Sequence, residues 1–369
     1  MVDTELLHEI EPQLEQAFDE HMSSIASKVS GEPDRRPFNP VEHIANIAGT
    51  SADPLEYFPV IRADFQSHVN NLETNFGVDI KKLIGAVWTI NLLTEDNLPH
   101  YTSKILGKSA LSPALVEFAH EWTAEEDAHG VIMRDFALGT GVIGSEEQAI
   151  INHQAYHAGR VQQLRTGTDI NPTNLQNAFA YLSLQEDLTR EAHYKSGWLL
   201  GAMGKSIMGP VTGDEQNHYE FYRKALEASL AVDSDGTLVE LNQVYKHFDM
   251  PGKDGIPNFK RLAETVKWSG IFDYETVAKS MQKIINKVGV RQTEPKTDSG
   301  KSAQVALLEI ASEDFVTSMR DAAETERDLR VPEHTKNGLL PFILGRTIEF
   351  DTISTVVGPK IRGLKSISG

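Results

Sequence analysis

Apolar side chains recur every three or four residues through most of this chain, and runs that alternate every second residue are scarce. The pattern predicts helices over residues 4–28, 80–105, 113–138, 174–200, 208–231, 257–268, 273–288 and 302–329. Ser112 followed by Pro113, Gly139 with Gly141, and Asn171-Pro172-Thr173 fit N-caps, first-turn prolines and C-terminal glycines. "SGEPDRRPFNP" reads as a loop and "TEPKTDSGKS" as a polar linker, while the β-branched tail "NGLLPFILGRTIEFDTISTVVGPK" matches neither period. An all-α architecture with a bundle at its centre is expected. Residues 1–294 would form that domain, and residues 295–369 an extension packed on it.

Four of the helices carry an acid where the pattern demands an apolar residue. Leu115, Ala119, Trp122, Glu126, His129 and Met133 share one face, and the carboxylate and imidazole sit at its centre. Left unpaired, that carboxylate would cost several kcal/mol, and metal coordination is one of the few arrangements that offsets it. Glu126 and His129 form an E-x-x-H pair, which places both side chains on one side of a helix. The chain holds four such pairs. Glu117/His120 lies nine residues ahead of Glu126/His129, on the opposite side of the same helix, and reads as solvated. Glu5/His8, near a chain end with no matching segment, also reads as surface.

Glu215/His218 behaves differently, because Met208, Val211 and Tyr222 surround it on one face. A helix with a lone inward glutamate precedes each inward pair. Ile84, Trp88, Asn91 and Glu95 align in one; Leu175, Phe179, Leu182, Glu186, Thr189 and His193 align in the other. Glu95 to Glu126 is 31 residues and Glu186 to Glu215 is 29, which makes an internal pseudo-repeat. The set Glu95, Glu126, His129, Glu186, Glu215 and His218 matches the ligands of ferritin-like di-iron or di-manganese four-helix bundles. Four carboxylates and two imidazoles without a thiolate suit iron or manganese better than zinc or copper(I). His153 and His157 are also spaced for a shared face, but no carboxylate accompanies them, and they read as solvated.

Composition narrows the remaining classes. The 369 residues include no cysteine, which removes disulfides, thiolate metal sites and cysteine nucleophiles together. A net charge of −18 argues against nucleic acid and against anionic membranes as partners. "MVDTELLHEIEPQLEQ" lacks the basic start and apolar run of a signal peptide, and no apolar run is long enough for a membrane span. A cytoplasmic protein is expected.

Four segments then carry a resemblance. "LLTEDNLPHY", "WTAEEDAHG", "SLQEDLTREAH" and "GDEQNHYEFY" are similar, in order, to T-E-x-x-L-P-x-Y, W-T-A-E-E-N-R-H-G, S-F-Q-E-x-x-T-x-x-S-H and A-D-E-x-x-H of the soluble acyl-[acyl carrier protein] desaturases, the plant stearoyl type and its actinobacterial relatives. The likeness covers roughly residues 35–290. It implies the same six metal ligands and two iron (Fe) ions per chain, alternating between Fe2+ and Fe3+. It also implies that Thr189 lies beside the oxygen-binding position and helps relay protons, although a helical threonine can instead bond back to its own carbonyls. Glu125, about 100° around the helix from Glu126, would face a neighbouring helix and orient a metal-bound imidazole. Asp214 before Glu215 would repeat that arrangement, and His193 would stand behind the ligands. Asp127 turns outward.

The activity implied is O2-dependent introduction of a cis double bond into an acyl chain carried on acyl carrier protein, in fatty acid biosynthesis. A homodimer and a ferredoxin-type electron donor complete the expectation, since the chain has no redox-cofactor motif. Two departures stand out. The family's W-x-P tryptophan aligns with Phe38, which has no N–H to donate, so the electron route is open to question. Gln216 and Asn217 occupy the last E-x-x-H where plant members carry basic residues; Lys104, Lys108 and Lys205 are the candidates for an acyl-carrier-binding patch. The alternatives are a di-iron hydroxylase or N-oxygenase acting on another substrate, and a non-catalytic ferritin-like iron-binding protein.

Overall fold

The computed structural model describes residues 3–27, 39–76, 80–96, 98, 112–144, 154, 174–250 and 256–328. Among these the regular structure is helical: α1 Asp3–Ser27, α2 Pro40–Ala48, α3 Pro54–Phe76, α4 Ile80–Glu95, α5 Pro113–Thr140, α6 Leu175–Leu199, α7 Gly201–Val232, α8 Ser234–His247, α9 Phe259–Ser269, α10 Tyr274–Lys287, α11 Asp298–Ile310 and α12 Glu313–Asp328, with a 3-10 turn at Val290–Gln292. The helices α4 to α7 form a ferritin-like four-helix bundle, and the remaining helices pack around it. No helix among the described residues is long and apolar enough to cross a membrane.

Local chemistry sets the helix ends. The Ser112 hydroxyl accepts from the Leu115 N–H at 3.1 Å, Pro113 occupies the first turn, and Gly141 closes α5 at φ +72°. Gly139 is not a terminator. It lies within α5, where a Cβ would strike Ile61 and Phe58 of α3. Asn174 caps α6 by accepting from Asn177 N–H at 2.8 Å, while Asn171, Pro172 and Thr173 lie outside the described residues. Three helices, α2, α3 and α8, are absent from the sequence expectation, although Tyr57, Ile61, Phe65, Val69 and Leu72 give α3 a clear buried stripe. The single helix expected over 302–329 is two helices. Ala311 ends α11, and the Ser312 hydroxyl accepts from Phe315 N–H at 3.1 Å to start α12, a polar break inside a continuous apolar stripe.

Pro210 removes a donor from the middle of α7 and frees the Ser206 carbonyl four residues earlier. His43 of α2 lies 2.9 Å from that carbonyl through Nε2, so the break is satisfied from a neighbouring helix. His68 of α3 likewise reaches the Leu199 carbonyl at 2.9 Å, at the end of α6. The junction between α6 and α7 turns on one residue, Leu200, and continues through Gly201 at φ +78°.

The core has two layers with the polar pocket between them. Along α5, Phe118 and Trp122 enter one apolar cluster; Ile132, Met133 and Phe136 enter the other, and Glu126 and His129 fall between. On α7 the order reverses: Met208 and Val211, then Glu215 and His218, then Tyr222 and Leu226. Ala303 and Leu307 of α11 join the first cluster, where α11 packs against α8 and α10.

Replacing Gly201 with Ala tests the junction. A Cβ there would stand 2.8 Å from the His68 ring, and the left-handed backbone would be strained besides. We expect a loss of about 1–3 kcal/mol, read as a lower Tm, with Gly209→Ala as a control in open space. An unchanged Tm for Gly201→Ala would refute the strain argument.

Candidate metal centre

The bundle brings all six sequence-selected residues into one buried pocket. Two groups form, each with its ligand atoms within 4.8 Å of one another: Glu95, Glu126, His129 and Glu215, and Glu126, Glu186, Glu215 and His218. Glu126 and Glu215 belong to both. His129 Nδ1 lies 3.5 Å from Glu126 Oε2 and 3.6 Å from Glu215 Oε1. His218 Nδ1 lies 3.1 Å from Glu126 Oε1 and 3.5 Å from Glu215 Oε2. Each shared carboxylate therefore offers one oxygen to each histidine, as a bridge between two cations requires. Glu95 stands at the His129 end, 3.9 Å away, and Glu186 at the His218 end, also 3.9 Å away.

The outer nitrogens point away from this centre. His218 Nε2 faces Glu125 Oε2 at 2.8 Å, and His129 Nε2 faces Asp214 Oδ2 at 3.3 Å. The acid preceding each shared glutamate thus faces the histidine of the other pair. With the Nε2 hydrogen directed at a carboxylate, the Nδ1 lone pair is left facing inward. His193 does not stand far back: its Nε2 is 3.0 Å from Glu95 Oε1 and 3.4 Å from Glu215 Oε1. Asp127, Glu5, His8, Glu117 and His120 are exposed. Phe38, Lys104, Lys108, His153 and His157 lie outside the described residues.

The donor set fits a pair of metal ions. Both oxygens of Glu186 and of Glu215 are buried without a hydrogen bond. Such groups are costly unless something else satisfies them. Ionisation tells the same story. Burial and then the charge of Glu126 push Glu95 up to about 8; burial and then Glu215 raise Glu186 well above the usual carboxylate range. Burial also opposes charge on Glu126, but hydrogen bonds with His129 and His218 outweigh it and hold that carboxyl low. Burial disfavours charged imidazoles at His129 and His218, yet hydrogen bonds to Asp214 and Glu126, and to Glu125 and Glu126, raise both well above the ordinary value. Cations bound here would displace these protons and satisfy the same carboxylates.

Thr189 is buried on α6, and its hydroxyl donates to the Gln185 carbonyl at 2.9 Å. This is the back-bonded arrangement, which leaves the oxygen lone pairs as its free capacity. Thr189, Glu95 and His193 help line a largely apolar cavity of about 390 Å³. Phe248, Met250, Phe259, Phe272 and Met281 form much of its wall, with Phe315 and Met319 of α12. Lys195 of α6 is buried near this wall and donates to the Gly270 carbonyl at 3.2 Å and Thr276 Oγ1 at 2.9 Å, tying the bundle to the turn before α10. Lys205 does not line the cavity; its Nζ sits 3.0 Å over the Trp198 ring.

One buried residue beside the pocket is missing from the sequence reading. His21 of α1 has its Nε2 3.5 Å from Glu125 Oε2. The signal was present, since Ile10, Leu14, Ala17 and Ile25 bury the same helical face.

The protonation pattern predicts a pH dependence for the metal-free protein. Glu95 and Glu186, with raised values, keep protons in the folded chain that the unfolded chain has lost; His129, His218 and His193, the last raised to about 9, act in the same direction. Their stabilisation is complete at low pH and declines as pH rises, from about pH 5 to 9. Tm of chelator-treated protein should therefore fall across that window, and added ferrous iron should stabilise the fold more at pH 8 than at pH 5.5. A flat metal-free profile, or a larger shift at the lower pH, would contradict this.

Comparison with known proteins gives the family. A family model described as fatty acid desaturase matches residues 40–337. The chain is similar to DesA1 of Mycobacterium tuberculosis, assigned as an acyl-[acyl-carrier-protein] desaturase, at 25% identity over 334 residues, covering 88% of this chain and 92% of that protein. Similarity extends to the chloroplastic stearoyl-[acyl-carrier-protein] 9-desaturase 1 of Arabidopsis thaliana, 23% identical over 278 residues with 70% and 66% covered. It includes the acyl-[acyl-carrier-protein] 6-desaturase of Thunbergia alata, 27% identical over 241 residues with 60% and 59% covered. With a family match across most of its length and a buried carboxylate–histidine pocket at the bundle centre, the chain belongs to the fatty acid desaturase family.

Proposed function

We propose that this protein is an acyl-[acyl carrier protein] desaturase that uses two iron ions and O2 to place a cis double bond in an acyl chain. One observation supports the reading above others: Glu95 and its partner His193, which belong to the carboxylate–histidine pocket, also line the apolar cavity, together with Thr189. An acyl chain lying there brings unactivated methylenes beside the metal centre, and burial of the chain excludes water from it. The relatives named as acyl carrier protein desaturases support the carrier-bound substrate.

Glu95, Glu126, His129, Glu186, Glu215 and His218 would hold the ions, with Glu126 and Glu215 shared between them. When bound, the pair supplies the oxidising power for removing hydrogen from unactivated carbon. The overall balance takes two hydrogens from adjacent methylenes, consumes one O2, two electrons and two protons, and releases two waters. A ferredoxin-type protein would supply the electrons, and the active form would be a cytoplasmic homodimer. The protein's own groups orient and exclude. Asp214 and Glu125 fix the imidazoles, His193 braces Glu95, and Phe315 and Met319 make the segment after residue 294 part of the substrate wall. On this reading α12, beyond the division at 294/295, would serve the same site as the bundle.

The test is the mass of the product. With acyl carrier protein substrates, reduced ferredoxin and O2, the acyl chain should lose two hydrogens, and Glu215→Ala should form no product and retain little iron. Gain of an oxygen atom would instead make the protein a hydroxylase on the same bundle. O2 consumption that no acyl substrate stimulates would point to a non-catalytic iron-binding protein.

Thr189 generates a second test. To relay a proton its hydroxyl must turn from the Gln185 carbonyl toward the cavity. Thr189→Val should keep the iron and lower the double bonds formed per O2 consumed by about a hundredfold, the low end of what a positioned proton donor supplies. An unchanged ratio would leave Thr189 a packing residue.

A further inference from the structure

The first helix, α1, precedes the region that the family model matches. It nevertheless docks on the bundle through specific polar contacts. Asp3 Oδ1 accepts from Leu175 N–H at 3.0 Å and Glu11 Oε1 from Ala114 N–H at 3.1 Å, so its carboxylates meet the first turns of α6 and α5. The Ser24 hydroxyl donates to Asn217 Oδ1 at 2.9 Å, and Glu20 pairs with Lys224, both on α7. Asn217 is one of the two residues that depart from the plant pattern, and here it receives α1.

Between these contacts lies His21, 4% exposed and packed edge-on against Phe118 with ring centroids 5.1 Å apart. Neither ring nitrogen has a hydrogen-bond partner at ordinary geometry. Nε2 faces Glu125 Oε2 at 3.5 Å, and that same oxygen receives His218 Nε2 at 2.8 Å. A buried imidazole without a partner is costly, and a shift of a few tenths of an ångström would complete the bond. Glu125 needs the support as well. It is buried, and a carboxylate that orients a ligand does so only if its own position is fixed.

We propose that His21 is a positioning residue of the metal centre: its Nε2–H holds Glu125, which orients His218, so that α1 completes the site. The inference rests on the metal-centre reading above. It predicts an effect on one end of the pocket, because the Glu125–His218 line serves the group formed with Glu186, while His129 is held by Asp214.

The experiment uses full-length protein loaded anaerobically with ferrous iron, measuring release of each ion to a chelator and the near-infrared circular dichroism of the ferrous centre. His21→Phe, which keeps the ring and removes its donors, should speed release of one ion about tenfold or more and leave the other unchanged. The ferrous bands should change with it. His21→Gln, whose amide can donate to Glu125, should recover most of both signals even if the Phe variant folds poorly. Ser24→Ala should loosen α1 and lower Tm without altering release or the bands. Wild-type release and spectra in His21→Phe overturn the inference, as does an equal effect of Ser24→Ala, which would reduce His21 to a docking contact. A wild-type chain that holds no ferrous iron overturns the metal-centre reading and this inference together.

Discussion

Four glutamates share one buried pocket, and like charges so close cannot all ionise without compensation. Much of the structure answers that constraint. The pocket lies between two apolar layers, where water cannot screen it, so compensation must come from protons, imidazoles or cations. The histidines are placed for this role three residues after each shared glutamate. The acids behind them, Glu125 and Asp214, direct one nitrogen of each outward and leave the other facing the carboxylates. A pair of divalent cations would relieve the repulsion and satisfy the otherwise unbonded oxygens of Glu186 and Glu215.

This arrangement explains why the site was legible in one dimension. Polar residues inside an apolar stripe are conspicuous because burial makes them costly, and a helix converts spacing into direction. Glu126, His129, Glu215 and His218 could be separated from Glu117 and His120 by phase alone, and the latter are indeed exposed. The crossed pairing of Glu125 with His218, and Asp214 with His129, follows from the helix phase together with the pseudo-repeat.

What the sequence hid depends on tertiary contact. The break between α11 and α12 needs only Ser312 as a cap, a local signal weaker than the apolar stripe that runs across it. The repair of Pro210 by His43, and of the α6 end by His68, joins residues more than a hundred positions apart, which no periodicity reports. The contacts of His193 with Glu95 and Glu215 cross from one helix to two others. Helical phase gives direction around an axis but not the reach of a side chain across it.

The two halves of the pseudo-repeat, similar as ligand sets, meet different surroundings. At the His129 end, Glu95 and His193 border the apolar cavity, whose far wall comes from α9, α10 and α12. At the His218 end, Phe118, Phe221 and His21 close the site beneath α1; the two phenyl rings stack with centroids 3.5 Å apart. A substrate chain can therefore approach one end while the other is sealed. The bundle supplies nearly symmetric coordination, and the helices added around it remove the symmetry. One flank opens on the apolar cavity; the other is covered by α1. An enzyme that must admit a flexible apolar chain without loosening its ligands has reason to keep those tasks on opposite sides.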